Sequence, residues 1–180
     1  MNYIVYDLEA TCWNGNLHGR VQEVIEIGAF SFNDYGEPQG SYNRFVKPIL
    51  YPFLSPFCQE LTSIRQEDVD RASKFPKVIE EFQDWACVYE EEYVLCSWGS
   101  FDRNILISDC KLHDLDYDWV EQHINLKEQY QQLKRLHRPC GLQNALKREG
   151  IEFTGTPHRG ISDAENLAKI FFKYLDVWQV

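Results

Sequence analysis

Asn2–Leu8 ("NYIVYDL") is dense in Ile, Val and Tyr and predicts a buried β-strand. Glu23–Asn33 ("EVIEIGAFSFN") predicts a second strand, "NDYGE" a turn, and the alternating Ser41–Lys47 ("SYNRFVK") a third. The chain therefore opens as an antiparallel meander. "PILYPFLSPFCQELTS" holds three prolines and reads as a loop, with a short helix starting at Ser55-Pro56, a cap followed by Pro at the first helical position. A second short helix is expected over Gln66–Arg71. From Pro76 to Tyr89, Val78, Ile79, Phe82, Trp85, Ala86 and Tyr89 recur at helical spacing. "EYVLCSW" is then a buried strand ended by Gly99, followed by a helix over Phe101–Lys111. "QHINL" predicts a short strand, and helices are expected over Lys127–Leu136 and Leu142–Glu149, the latter ended by Gly150. The last helix is expected over Ser162–Asp176, with Ala164, Leu167, Ala168, Phe171 and Leu175 on one face. Strands first, then strands alternating with helices, indicate an α/β domain with a mixed sheet.

Length and composition narrow this picture. The 180 residues show no linker and suit one domain over residues 1–180. At 44% hydrophobic and 14% aromatic residues, the chain can fill a core. Asp7 and Glu9 interrupt the only N-terminal apolar run, so no signal peptide is expected. No apolar run reaches the roughly 18 residues of a membrane span. The expectation is a soluble, cytoplasmic protein. Six scattered cysteines with no CxxC pair read as free thiols. Cys110–His113 and His137–Cys140 do have the two-residue gaps of a zinc site, so a zinc site stays open against a core Cys110 and surface histidines.

The net charge of −10 disfavours long-range attraction to a duplex. Local basic clusters occur at Lys134, Arg135, His137 and Arg138, and at Lys147 and Arg148, each readable as a solvated face.

The candidate chemistry lies in the acids. On a strand, alternate side chains share a face, so Asp7 and Glu9 point the same way. Two like charges about 4 Å apart repel by roughly 4 kcal/mol at an effective dielectric of 20. A core strand does not carry that cost uncompensated, unless Glu9 already lies past its end in solvent. Asp102 follows a buried strand and Gly99 at the start of a helix, and Asp163 lies in the first turn of the last helix. Hard oxygen ligands from several segments are what Mg²⁺ or Mn²⁺ requires. Taken singly, Asp102 also reads as a cap and Asp163 as an acid favoured by the helix dipole. His158 precedes Asp163 by five positions in "TGTPHRGISD". A loop His is usually just solvated, but beside a carboxylate metal site it suits a general base, since imidazole titrates near neutrality.

"DLEAT", "SWGSFD" and "HRGISD" resemble the three motifs of the DEDDh 3′–5′ exonucleases: D-x-E, an Asp after an apolar strand, and H-x4-D. "DLEATCW", "SPFCQELTSI", "VDRASKFP" and "PHRGISDAENLAKI" resemble in particular the branch that trims histone-mRNA and small-interfering-RNA ends, with its bacterial KapD-like relatives. The resemblance implies an RNase H-like α/β fold: a mixed sheet, antiparallel meander plus parallel strands, flanked by helices. It also implies two divalent ions, Mg²⁺ or Mn²⁺. Asp7 would bridge both, Glu9 and Asp163 would complete one site, Asp102 would support the other directly or through water, and His158 would deprotonate the attacking water. Implied substrate contacts are the backbone of Ala10 and Thr11, the "LT" pair Leu61 and Thr62, and Trp13 or Phe57 stacked on a base, although Phe57 also reads as core. Phe101 and Trp98 read as packing residues.

The expected activity is release of nucleoside 5′-monophosphates from the 3′ end of single-stranded nucleic acid, RNA before DNA. The expected partners are that 3′ end, the monophosphate product and no membrane. The alternatives are an exonuclease-fold regulator acting through a protein partner, and a DNA proofreading or repair nuclease. Eukaryotic members of the branch often carry an extra nucleic-acid-binding module. Its expected absence here favours short single-stranded ends, or delivery by a protein partner.

Overall fold

A computed structural model describes residues 1–180. Its centre is a five-stranded sheet in the order β3-β2-β1-β4-β5. β1 (Asn2–Ala10), β2 (Val24–Phe32) and β3 (Pro38–Phe45) form the antiparallel meander. β4 (Tyr93–Ser97) adds parallel to β1, and β5 (His123–Asn125) adds parallel to β4. Between β3 and β4 lie α1 (Pro56–Thr62), α2 (Gln66–Asp70) and α3 (Phe75–Trp85). α4 (Phe101–Leu112) and a 3₁₀ turn (Asp118–Glu121) join β4 to β5. α5 (Leu126–Leu133), α6 (Leu142–Glu149) and α7 (Gly160–Lys173) follow, then a 3₁₀ turn over Leu175–Val177. No helix is long and apolar enough to cross a membrane.

The sheet is covered on both faces, which is why "EYVLCSW" reads as a continuous apolar run. On one face Ile4, Tyr6, Leu8 and Leu95 pack against Phe75, Ile79, Phe82 and Leu106 of α3 and α4. On the other, Val5, Val94, Cys96 and Ile124 pack against α5, α6 and α7 through Tyr130, Leu146, Leu167 and Phe171. A smaller cluster of Ile25, Leu54, Cys58, Ile64 and Val69 seats α1 and α2 on the β2 flank.

Strong local signals set the short helices. The Ser55 hydroxyl accepts from Cys58 N at 3.0 Å, with Pro56 behind it, and Gly150 closes α6 at φ 69°. Three helices end earlier than their periodicity predicts, the last at Lys173 rather than Asp176, which leaves Leu175 in a 3₁₀ turn. α3 stops at Trp85 because Cys87 turns left-handed at φ 52°, which leaves Tyr89 exposed. α5 stops at Leu133 because Arg135 does the same at φ 52° and Leu136 N folds back onto Gln131 O. α7 begins at Gly160 and ends at Lys173, with Trp178 Nε1 donating to Phe171 O at 2.8 Å beyond it.

The structure overturns the zinc pattern. Cys110 is buried in the core on the α3–α4 face, while Cys140 packs on the opposite face, so the sheet separates the two pairs. His113 stacks on Phe75 at 5.5 Å. All six cysteines are free thiols.

Candidate active site

β1 alternates as its pattern demands. Val5 packs against the α7 side, and Asp7 and Glu9 follow it on that face, beyond the apolar layer. Leu8 points to the other face. The register shift between Glu9 and Ala10 breaks the regular pairing with β2 at the C-terminal end of this central strand. Asp102, in the first turn of α4, tucks under the same strand, and its Oδ1 accepts from Leu8 N at 3.0 Å.

Asp163 arrives with α7. Gly160, at the helix start, lies on Gly28 of β2, which pairs with Asp7. A Cβ on Gly28 would overlap the Gly160 carbonyl carbon and Ile161 N, so Gly28 must be glycine for this approach, and a Cβ on Gly160 would be tight against Asp7 O and Gly28 N. The result is a cluster in which carboxylate oxygens of Asp7, Glu9 and Asp163 all lie within 4.8 Å of one another. His158 is exposed at its edge, left-handed at φ 59°, in the turn that leads into α7.

Crowding and burial show in the proton affinities. Burial first, then Asp102 and Glu9, holds Asp7 well above the usual carboxylate range. Burial and Asp163 push Glu9 up to about 9. Burial raises Asp102 to about 6, against the opposing Leu8 N–H. Asp163 is also raised by burial, with the His158 and Arg159 N–H groups opposing.

A fifth acid in the neighbourhood is paired. Glu26, opposite Glu9 in the β1–β2 register and fully buried, accepts from Arg159 Nε at 3.1 Å and Nη2 at 2.9 Å, and from Gly160 N at 3.0 Å. Fork geometry of this kind fixes the guanidinium, and with it the turn that carries His158 and starts α7. Glu23, also buried, accepts from Ile49, Leu50 and Tyr51 N at 2.6–3.0 Å and so pins the loop after β3. The sequence pattern did not single out Glu23, Glu26 or Arg159. The signal was there for Glu26: a charge in mid-strand, within "VIEIGAFSF", must find a partner when both faces are buried.

The exonuclease family model matches residues 4–171, which takes in all five signature residues. The chain belongs to this exonuclease family. Similar relatives include human 3'-5' exoribonuclease 1, 32% identical over 179 residues, covering 95% of this chain and 51% of the relative. Human ERI1 exoribonuclease 2 is 31% identical over 194 residues, covering 96% of this chain and 28% of the relative. The chain thus spans about half the length of the first and little more than a quarter of the second. Among solved structures, the nuclease domain of 3'hExo, a DEDDh family member bound to rAMP, is similar at TM-score 0.91 and 32% identity, over 97% of this chain and 92% of that one. E. coli exonuclease I in complex with a dA16 oligonucleotide shares the fold at TM-score 0.75 and 14% identity, over 94% of this chain and 39% of that one. The mixed sheet is the RNase H-like sheet of these exonucleases.

The carboxylate cluster fits divalent cations by its own chemistry. Asp163 Oδ2 is buried with no hydrogen-bond partner. No lysine or arginine forms an ion pair with Asp7, Glu9, Asp102 or Asp163, while nearby Glu26 is neutralised by Arg159. Such a set of hard oxygens needs positive charge from outside the chain.

The expected substrate contacts are placed unevenly. Ala10 and Thr11 are buried beside the carboxylates, but Thr11 N already donates to Glu23 O at 2.8 Å, and Thr11 Oγ1 accepts from Glu23 N. Leu61 is exposed on α1, whereas Thr62 is buried and donates its hydroxyl to Cys58 O at 2.8 Å. Trp13 is half-buried, edge-on to Tyr51 at 4.9 Å with Arg20 over its ring at 5.0 Å. Phe57 is half-buried. Trp98 is a packing residue against Tyr130, as expected. Phe101 is not: it is 47% exposed, next to Asp102, because α4 turns Ile105 and Leu106 inward instead.

Proposed function

We propose that this chain is a divalent-metal-dependent 3′–5′ exonuclease that releases nucleoside 5′-monophosphates from single-stranded nucleic acid, RNA in preference to DNA. The observation that carries this reading is the convergence of Asp7, Glu9 and Asp163 within 4.8 Å, with Asp102 under the same strand and His158 at the rim. The RNA preference is supported by the human relatives' names as exoribonucleases and by the rAMP bound in the similar nuclease domain. Residues 1–180 act in this reading as one catalytic unit, and the six free thiols suit a reducing cytoplasmic setting.

Asp7, Glu9 and Asp163 would hold one ion, and Asp7 with Asp102, directly or through water, a second, Mg²⁺ or Mn²⁺ in each case. Bound there, the ions supply positive charge to the attacking and leaving oxygens of the scissile phosphate. His158, free at the rim, takes the proton of the attacking water. The water oxygen bonds to phosphorus, and the bond from phosphorus to the upstream 3′ oxygen breaks. The departing nucleotide keeps its 5′-phosphate, and the shortened strand gains a 3′-hydroxyl. Glu26 and Arg159 position His158 and Asp163 through the turn they anchor. Leu61 and Trp13 line the side where the terminal nucleoside rests.

End-labelled single-stranded RNA and DNA, incubated with Mg²⁺, Mn²⁺ or chelator, test this. Expected is stepwise shortening from the 3′ end that needs a divalent ion, is blocked by a 3′-phosphate and is faster on RNA. Equal activity in chelator, or shortening from the 5′ end, overturns it.

A further inference from the structure

The cations of this acidic chain are not spread evenly. Residues 127–148 contain six Lys or Arg and one acid, Glu128, in a chain of net charge −10. Lys134 is committed to Glu149 at 2.9 Å. Lys127, Arg135, Arg138, Lys147 and Arg148 take part in no ion pair, and all but Lys127 are exposed.

Two adjoining grooves thread this region. The first, about 300 Å³, has no hydrophobic residue in its walls; Gly99, Ser100, Asn125, Lys127, Gln131, Pro139 and one acid, Glu128, line it. The second, about 500 Å³, is lined by Cys140, Asn144, Lys147 and Arg148. Pro139 of the first and Cys140 of the second are consecutive residues, and Trp98 Nε1 donates to Cys140 O at 3.0 Å. Gly99, at φ 117°, makes the left-handed turn between β4 and α4, beside the Lys127 stem. The inner end of the first groove, Ser100, is two residues from Asp102, with the half-exposed Phe101 between.

The direction follows from the sheet. α5 and α6 pack on the same face from which Asp7 and Glu9 project. α1, which carries Leu61, sits on the β2 flank of the carboxylates, and the grooves open on the β4–β5 flank. A strand whose terminal nucleoside lies by Leu61 and whose scissile phosphate lies at the carboxylates must continue toward the grooves.

We propose that these two grooves form a track for the sugar–phosphate backbone of single-stranded RNA upstream of the scissile bond, with Lys127, Lys147 and Arg148 from its walls and the exposed Arg138, next in sequence to the wall residue Pro139, as its phosphate contacts. The proposal rests on the exonuclease reading above. It explains how a chain of net charge −10 holds a polyanion: the cations that meet it are gathered in one strip leading into the site. The residues that line the two grooves carry no aromatic ring to stack on, so binding along them is indifferent to base sequence.

The test compares the parent with the variant Arg138→Glu/Lys147→Glu/Arg148→Glu on two substrates. One is the p-nitrophenyl ester of a nucleoside 5′-monophosphate, which ends short of the track and reports the chemistry alone. The other is long unstructured poly(U). The three positions are exposed, and an unchanged melting curve verifies the fold. Expected is parent-like hydrolysis of the small ester, a KM for poly(U) raised about tenfold or more with kcat little changed, and a shallower salt dependence of poly(U) binding. With roughly 0.7 in the log–log slope per contacted phosphate, three lost contacts flatten it by about 2. A variant with the parent's KM and salt slope on poly(U) overturns the track while leaving the exonuclease reading intact, and would point to a protein as the occupant of the patch. A parent that cleaves neither substrate overturns both.

Discussion

Gly28 and Gly160 meet backbone to backbone, a strand residue against the first residue of a helix 132 positions later. Gly160 is packed so tightly that a Cβ there would stand 3.0 Å from the Asp7 carbonyl oxygen and 3.1 Å from Gly28 N. This contact sets how close α7 comes to β1, and hence whether Asp163 reaches Asp7 and Glu9. Gly28→Ala forces the helix away. The expected cost is about 1–3 kcal/mol or more, seen as a melting temperature lower by roughly 2–4 °C per kcal/mol, with turnover lost beyond what unfolding explains. A variant that melts and turns over like the parent refutes the role of this approach.

Breaking the Glu26–Arg159 pair from one side leaves a fully buried carboxylate without its cation. Arg159→Leu is expected to cost about 3–5 kcal/mol in denaturant unfolding. The double variant Glu26→Leu/Arg159→Leu removes the stranded charge and is expected to recover much of that stability. It should not recover turnover, because the turn holding His158 has lost its anchor. Recovery of both assigns the pair a purely structural role.

How much of this was legible in the sequence follows the range of each signal. The D-x-E alternation on β1, the Ser55-Pro56 cap and the Gly150 stop are local, and each element formed where its residues place it. The four carboxylates stood out because each lies near the end of a buried element, and His158 because it stands five positions before Asp163 in H-x4-D. Helix ends closed by Cys87 and Arg135 were not, since neither residue type advertises a left-handed turn. Arg159 as the partner of Glu26 lies 133 positions away, and only the folded chain brings them together. Phe101 was misread as core because an apolar residue after an apolar strand usually is, while here the helix turns it outward beside the site. The zinc spacing failed for the same reason in reverse: the right gaps sat on opposite faces of one sheet.

The carboxylate cluster makes the protein pH-sensitive in chelator. Its members have folded-state pKa values raised above the unfolded ones, Asp102 to about 6 and Glu9 to about 9. The folded state therefore binds more protons than the unfolded state between those values. The stabilisation is fully present below the unfolded pKa of about 4 and is lost as pH rises through the folded values. The contribution of these groups to the melting temperature in chelator falls from about pH 4 toward pH 9. Asp7→Asn, which removes one charge from the centre of the cluster, should melt higher than the parent in chelator near neutral pH. A lower melting temperature for the variant would make Asp7 an ordinary hydrogen-bonded strand residue.

His158 is exposed and makes no side-chain hydrogen bond. His158→Ala should leave stability and metal affinity near those of the parent and lower turnover by about a hundredfold or more. Near-normal turnover would place the base elsewhere.

The central claim is that Asp7 anchors the metal site on which hydrolysis of an RNA 3′ end depends. Calorimetric titration of Mn²⁺ into the parent and into Asp7→Asn, paired with turnover of single-stranded RNA by the same samples, tests it most directly. The account predicts that the parent binds Mn²⁺ and shortens RNA from the 3′ end, and that Asp7→Asn, still folded, does neither. A variant that binds Mn²⁺ and cleaves RNA like the parent would contradict it.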